Sequence, residues 1–389
     1  MSDITVIDAS GMVAGPFAGT LLAEHGARVI KVEDPVKGDP IRHWGAEKDG
    51  VGLCYKSANR NKEYMTLDLR KGEGQELFRR LVRNADVAIV NHRPSTLEKW
   101  GLDYQSLKSE NPALIVLHIS AFGLTGPYAD RPGFGSLGEA MSGFAYTTGS
   151  ADGPPTMPSF ALADSVTGMA GAFAVMVALM NREDEGQLID ANLVEPLARL
   201  MDYNTVQYDA TGEVQGRVGN QWKWTAPRDT FQTRDHKWFV ISGSHPNAVR
   251  NMFRAIERPD LGEIYAADSQ ARLRDSEEIG KLVRAWAAER EYSEIVSIFD
   301  SHLVSYAPVY STPELMADQH MVANGVFKPV PDQELGNITL QGPIVRMTGT
   351  PATVRDAGGA LGVDSDRILR DDLGLSQNEI EKLRATGIV

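Results

Sequence analysis

The sequence predicts an α/β fold in which a doubly wound, Rossmann-like large domain is followed by a smaller α+β domain. From Ile4 to Ser120, short β-branched runs alternate with helical patterns, the signature of a parallel sheet with crossover helices. Beyond Pro227 the pattern changes to a hairpin followed by helices. The 389 residues, 42% apolar and 23% charged, can fill two or three units of roughly 150 residues each and are neither disordered nor collagen-like.

Strands are expected at Ile4 to Asp8, Arg28 to Glu33, Tyr64 to Leu69, Val87 to Asn91 and Leu114 to Ser120. Between the third and fourth, Leu77, Phe78, Leu81 and Val82 recur at helical spacing and lay one face on the sheet. A loop rich in Gly and Pro runs from Gly123 to Gly135, and two helices follow. The second starts near Asp164 and passes through Gly168, Met169, Phe173, Met176 and Val177 to Asn181. Apolar nearly all round, it is expected to be buried, with its start in the interior. The second domain opens on a hairpin, Asp229 to Ser242 around Arg234-Asp235-His236. Helices near Ala248 to Ile256 and Glu277 to Arg290 follow it. The expected division is a large domain over 1–195, a linker over 196–226, a small domain over 227–325, and a return to the large domain over 326–389. That tail includes a short helix, Gln377 to Ala385.

Thirty-nine basic against 52 acidic residues give a net charge of −13, which opposes nucleic acid and anionic membrane surfaces. A small anionic ligand remains compatible with a few local donors. Cys54 is the single cysteine, so neither a disulfide framework nor a Cys-rich metal site can be built. No basic segment followed by an apolar stretch opens the sequence, and no run approaches the roughly 18 apolar residues of a membrane span. A soluble cytoplasmic protein is the expectation. The eight histidines are scattered without H-x-x-x-H or H-E-x-x-H spacing, so no metal site is expected. His118 reads as a hydrogen-bonded core residue, and His25 suits the last turn of a helix. Ser120 and Ser165 lack a G-x-S-x-G elbow.

Gly11, Gly15 and Gly19 after the first strand, with Glu33 ending the second, imitate a dinucleotide-binding unit. The glycines fall every fourth residue rather than as G-x-G-x-x-G, so Pro16 and Gly19 read as structure. The N-terminus of that helix still offers N–H donors to an anion. Asp164 has two readings. An Asp before an apolar helix is an N-cap; a partly desolvated carboxylate there is also a nucleophile towards an activated acyl group. Asn91-His92-Arg93-Pro94 ends a strand on the edge where open α/β sheets bind ligands, and Asn59-Arg60-Asn61-Lys62 brings two further cations near the sheet. Solvated turn charges are the competing reading for both.

Taken in order, these segments resemble the family III CoA transferases, which include formyl-CoA and carnitine-CoA transferases and the α-methylacyl-CoA racemases. The matching text is Gly15-Pro16, Gly26 to Glu33, Gly38-Asp39, Arg42, Asn59 to Lys62, and Asn91 to Pro94 with Leu97 and Gly101. It continues with Phe122 to Tyr128, Arg131 to Phe134, Ala163-Asp164-Ser165, Gly168, Gly186-Gln187 and Ala307-Pro308-Val309. The resemblance implies that Asp164 attacks an acyl-CoA thioester, giving an aspartyl anhydride and then an aspartyl-CoA thioester. Coenzyme A is then substrate and product, and no tightly bound cofactor is needed. By the same resemblance Val13, Asn91, His92, Arg93 and Lys99 are CoA-binding positions. The chain is expected to form a ring interlocked with its partner in a homodimer.

Four positions depart from the family's commonest pattern. His92 replaces an aromatic, Val13 replaces the glutamine of formyl-CoA transferase, and the Gly-rich loop of that enzyme has no counterpart near Asp229. Gly135 stands where many members carry a supporting acid, with Glu139 one turn later. These differences point away from a formyl or oxalyl substrate. Phe134 to Met141 resembles members acting on short dicarboxylic acids such as succinate, mesaconate or citramalate, for which Arg131 or Arg228 offers a bidentate partner. An ordinary salt bridge is the other reading of either arginine. Two other functions stay open: a racemase, although the His expected after Ser120 is missing from Ala121 to Tyr128, and a non-catalytic acyl-CoA-binding protein.

Overall fold

The structure is a computed structural model that describes residues 1–182 and 185–389. Six parallel strands build the main sheet: β1 (Thr5–Ala9), β2 (Arg28–Glu33), β3 (Glu63–Thr66), β4 (Val87–Val90), β5 (Ile115–Ser120) and β6 (Leu188–Asn192). Their spatial order is β3-β2-β1-β4-β5-β6, with Ile7 opposite Ile30 on one side and Ala88 on the other. The first five match the expected strands within a few residues. They read clearly because helices cover both faces, which requires nearly continuous apolar side chains. The edge strand β6, Leu-Ile-Asp-Ala-Asn, was not expected: it is half exposed and carries no such run. Strand order reverses between β1 and β4, and the crevice outside their carboxyl ends is where doubly wound folds place ligands.

On one face lies α1 (Ala14–Glu24); on the other, α2 (Gly72–Arg83) buries Leu77, Phe78, Leu81 and Val82, as their spacing predicts. α3 (Pro94–Trp100) follows β4, and α4 (Gly135–Met141) follows the Gly/Pro loop. The long helix α5 (Leu162–Met180) packs on α1 and β5 through small residues. A Cβ on Gly168 would lie 2.7 Å from the Ala14 carbonyl oxygen, and one on Gly171 would lie 2.9 Å from Leu117.

Burial of α5 on all sides is not what the fold contains. Ala163, Thr167, Gly168, Gly171, Ala172, Val175 and Ala178 are buried, whereas Phe173 is 71% and Met180 82% exposed. One chain supplies partners for one side of this helix only. By length and composition α5 could also cross a bilayer, contrary to the expectation that no run comes close. Leu, Val, Met, Ala and Phe carry that character through a run that Asp164, Ser165, Thr167 and two glycines interrupt. The following α6 (Asp202–Thr211) buries no residue.

The described residues form two compact units, one of Met1–Phe144, Met157–Thr211 and Ala323–Val389, the other of Ala145–Thr156 and Gly212–Val322. In the second unit the expected hairpin is β7 (Arg228–Gln232) and β8 (Trp238–Ser242), turning through His236 at φ 60°. β9 (Tyr306–Pro308) joins β8, and helices close over Phe231, Phe239, Phe253 and Phe299. In the first unit the C-terminal segment makes a hairpin, β10 (Phe327–Asp332) and β11 (Gly336–Gln341), held by Lys56 Nζ at 2.6 Å from both Asp332 and Glu334. The helix Gln377–Ala385 then packs Ile380 into the α2 face of the sheet.

Asn59 to Lys62 is neither a solvated turn nor a set of free cations. Arg60 Nε donates to Glu24 at 2.6 Å, and Asn61 holds Thr353 and Arg355 of the tail. Lys62 Nζ donates to Asp8 (2.9 Å), Asn59 Oδ1 (2.9 Å) and the Pro16 carbonyl (2.8 Å). Both ends of the Lys62–Asp8 pair are fully buried. Removing one partner of such a pair strands the other charge. Lys62→Met should therefore lower unfolding free energy by about 3–5 kcal/mol in urea titrations; a change below about 1 kcal/mol would mean that Asp8 is neutralised elsewhere.

Candidate active site

The crevice at the strand reversal is built by two loops tied to each other. Asn91 Oδ1 accepts from the Gly11 amide at 2.9 Å, and its Nδ2 donates to the Gly11 carbonyl at 2.8 Å. Met12, at φ 65°, donates its amide to Asp39 Oδ1 at 2.9 Å. Val13 then stands at the N-cap of α1 with no side-chain cap, and a Cβ on Gly15 would lie 2.2 Å from Ser10 Oγ. A cleft of about 270 Å³ opens here, lined by Ser10, Gly11, Lys31, Asp39, Arg70, Asn91, His92 and Trp100 among others.

His92 Nδ1 is buried and has no hydrogen-bond partner among the described residues, and the ring meets Trp100 edge-on at 5.1 Å. Burial, with Lys31 and His118 adding to it, pushes its pKa down to about 4, so the imidazole is neutral near pH 7. His118 is the hydrogen-bonded core residue the sequence implied, its Nε2 lying 2.8 Å from the His92 carbonyl oxygen. Arg93 and Lys99 are exposed at the two ends of α3 and make no ion pair among the described residues. Glu33, which imitated a ribose ligand, is taken up by Arg42 at 2.7 Å and the Tyr55 hydroxyl at 2.6 Å.

Asp164 is not the N-cap of α5. The helix begins at Leu162, the cap position is Ala161, which has no side-chain oxygen, and Asp164 is the third helical residue. At this helix start the Leu162 amide reaches the Phe160 carbonyl oxygen at 2.8 Å and, like that of Ala163, is also met from another element. Glu139 on α4 is 4% exposed, and its Oε1 accepts from Leu162 N at 3.0 Å and Ala163 N at 3.3 Å. The Asp164 carboxylate rests instead against Gly135, where a Cβ would lie 1.9 Å from Oδ2. Gly138 lets α4 close on the chain after β6, since a Cβ there would meet the Leu193 carbonyl oxygen at 2.2 Å. The run Gly135 to Glu139 thus provides a seat, a close approach and a cap in five residues.

Burial, and then the like charge of Glu139, push the Asp164 pKa up to about 6, while a bond from its own amide pulls the other way. Near pH 7 the group is mostly ionised, poorly hydrated and more basic than an ordinary carboxylate. Such a group can attack an activated acyl carbon. Gly168, one turn further along α5, touches Ala14 next to Val13, so the start of α1 adjoins the Asp164 helix.

Neither Ser120 nor Ser165 is a free hydroxyl: the first accepts from Gly123 N, the second donates to the Ala161 carbonyl. Arg131 stacks over Tyr128 at 3.8 Å, and Arg228, in the second unit, lies 5.7 Å from the Trp222 ring. Neither makes an ion pair among the described residues, so the salt bridges expected for them as the ordinary alternative do not form there. Among the described residues no group of three or more His, Cys, Asp or Glu could hold a metal ion. Sequence reasoning did not identify the capping role of Glu139, because its partners are 23 and 24 positions away.

A family model described as CoA-transferase family III matches residues 1–365. The chain is 37% identical to succinyl-CoA–D-citramalate CoA-transferase of Chloroflexus aurantiacus, over all of this chain and 98% of that one. It is 33% identical to succinate–glutarate CoA-transferase of Agrobacterium fabrum, over 95% of each. Among solved structures, a CAIB/BAIF family protein from Brucella suis superposes with a TM-score of 0.85 at 29% identity, covering 95% of this chain and 98% of that one. With the fold, the crevice and these matches in agreement, the chain belongs to CoA-transferase family III and is a CoA transferase acting on acyl-CoA and carboxylic acid substrates.

Proposed function

We propose that this enzyme moves CoA between short dicarboxylic acids through covalent intermediates on Asp164. The observation that carries the reading is the state of that carboxylate. It is spent on no helix amide but its own, it lies against Gly135, and it is pushed up to about 6. The relatives named for succinate, citramalate and glutarate support the substrate class.

In the first step an Asp164 oxygen bonds to the acyl carbon of the donor, the C–S bond breaks, and the electron pair leaves on the CoA sulfur as thiolate. The thiolate attacks the aspartyl carbon of the anhydride, expelling the donor acid as carboxylate and leaving an aspartyl-CoA thioester. The acceptor carboxylate then displaces the thiolate, and the thiolate finally attacks the new acyl carbon and frees Asp164. Each step exchanges activated acyl groups of similar energy, so the cycle balances without redox or nucleotide chemistry. In this reading CoA lies along the crevice, with Asn91 and His92 at its wall, Val13 at the helix start beside it, and Arg93 and Lys99, which make no ion pair among the described residues, available to its phosphates.

The reading includes a homodimer of interlocked rings. It is supported by Phe173, Val177 and Met180 on the open side of α5 and by α6, which buries nothing of its own. Apolar surface of this kind is ordinarily covered by a partner.

Incubation with succinyl-CoA and hydroxylamine should convert Asp164 to a hydroxamate visible by peptide mass spectrometry. A panel of short-chain donors leaving Asp164 unlabelled would overturn the covalent reading. Asp164→Asn should reduce turnover by roughly 10³-fold or more with CoA affinity nearly unchanged.

The sign of the stability effect is also defined. The folded Asp164 pKa exceeds its ordinary value of 3.8, so its contribution to stability is fullest below about pH 4 and is lost as pH rises through about 6. Asp164→Asn should therefore be more stable than the parent at pH 8, by about 1–2 kcal/mol after allowing for partial solvent access, and the gap should close by about pH 4. Equal unfolding midpoints for the two proteins at pH 8 would contradict this.

A further inference from the structure

We propose that Glu139 is a positioning residue for Asp164: it occupies amides at the start of α5, and it holds a negative charge beside the nucleophile, a repulsion that acylation of Asp164 relieves. This rests on the reading above that Asp164 is the nucleophile. The first part follows from position. A helix start leaves four amides to be satisfied, and Ala161 cannot cap them. Asp164, within the first turn, is the acid on this helix that those amides would otherwise attract. Glu139 accepts from Leu162 and Ala163 in its place, from a buried site on α4.

The second part follows from charge. The elements packed against α5 carry Glu24 on α1, His118 on β5, Asp190 on β6, and Glu195 and Arg199 in the helix Glu195–Leu200. Glu24 is paired with Arg60, Asp190 accepts from Leu124 N, and Arg199 is paired with Asp202. Glu139, by contrast, binds the amides of the two residues just before Asp164, and its like charge raises the Asp164 pKa. When the Asp164 oxygen bonds to the acyl carbon and the electron pair leaves with the CoA sulfur, Asp164 becomes neutral. The repulsion from Glu139 is then relieved. It is therefore present in the free enzyme and absent from every covalent intermediate, which favours acylation.

This arrangement also gives Gly135 a purpose. A side chain at that position would put its Cβ where Asp164 Oδ2 lies and displace that carboxylate, so in this chain the glycine keeps the seat and the neighbouring charge comes from one turn further on.

Glu139→Gln separates the two parts, because the amide oxygen still caps α5 while the charge is gone. The acid limb of kcat/KM against pH, near 6 in the parent, should move down by about half to one pH unit in Glu139→Gln. The fraction of enzyme trapped on Asp164 by hydroxylamine at low donor concentration should fall roughly three- to tenfold, with the melting temperature unchanged. Glu139→Ala should lose both parts: kcat falls at least tenfold further than in Glu139→Gln, donor KM stays within about twofold, and the melting temperature drops. An acid limb unmoved in Glu139→Gln, with Asp164 labelled normally in the parent, overturns this proposal and leaves the covalent reading intact. No label on Asp164 in the parent overturns both. Should Glu139→Ala fail to fold, the Glu139→Gln profile decides alone.

Discussion

Two amides at the start of one helix govern the chemistry available to this protein. Had Asp164 capped α5, its oxygens would be drawn into hydrogen bonds with the helix and would be less basic for it. Glu139 takes those amides from α4, and the Asp164 carboxylate comes to rest on a bare glycine with little water around it. A close acid pair with one member buried and the other partly buried is unfavourable for folding. That is the physical form a reactive carboxylate takes when nothing neutralises it until substrate arrives.

The crevice is treated in the opposite way. Around its floor, buried charges are matched closely: Lys31 with Asp39, Lys62 with Asp8, Glu33 with Arg42 and Tyr55. Such pairs add little net stability, because desolvation offsets their attraction. What they provide here is geometry. Asp39 also holds the Met12 amide, and Asn91 clamps Gly11, so the loop leading into α1 is fixed by the same network that lines the cleft. Rigid, neutralised surroundings and a His92 Nδ1 without a hydrogen-bond partner among the described residues make a wall ready for a polar ligand.

The long helix α5 joins these features to the outer surface. Its inner side needs Gly168 and Gly171 to approach α1 and β5 closely, and that approach sets the distance between the start of α1 and the helix that carries Asp164. The outer side is apolar and uncovered in the single chain. In the dimer proposed above, the second copy would stabilise the same helix from behind. The rigidity of the reactive carboxylate would then depend in part on association.

Much of this is legible in the sequence. Buried parallel strands must be nearly continuous in β-branched residues, so β1 to β5 stand out, and α2 declares its buried face by spacing alone. β6 escaped because an edge strand has no such requirement. Asn59 to Lys62 were seen as charges near the sheet, but their partners come from α1, β1 and the C-terminal tail, which local pattern cannot reveal. Asp164 reads as cap or nucleophile from local pattern alone, and the family resemblance implies the nucleophile. The sequence alone determined which side chain was a candidate and which fold would carry it, since both follow from local periodicity and residue chemistry. Whether that carboxylate is bound to its own helix or left exposed to a ligand depended on Glu139 and Gly135, more than twenty positions earlier, and only the packing of α4 against α5 decides it.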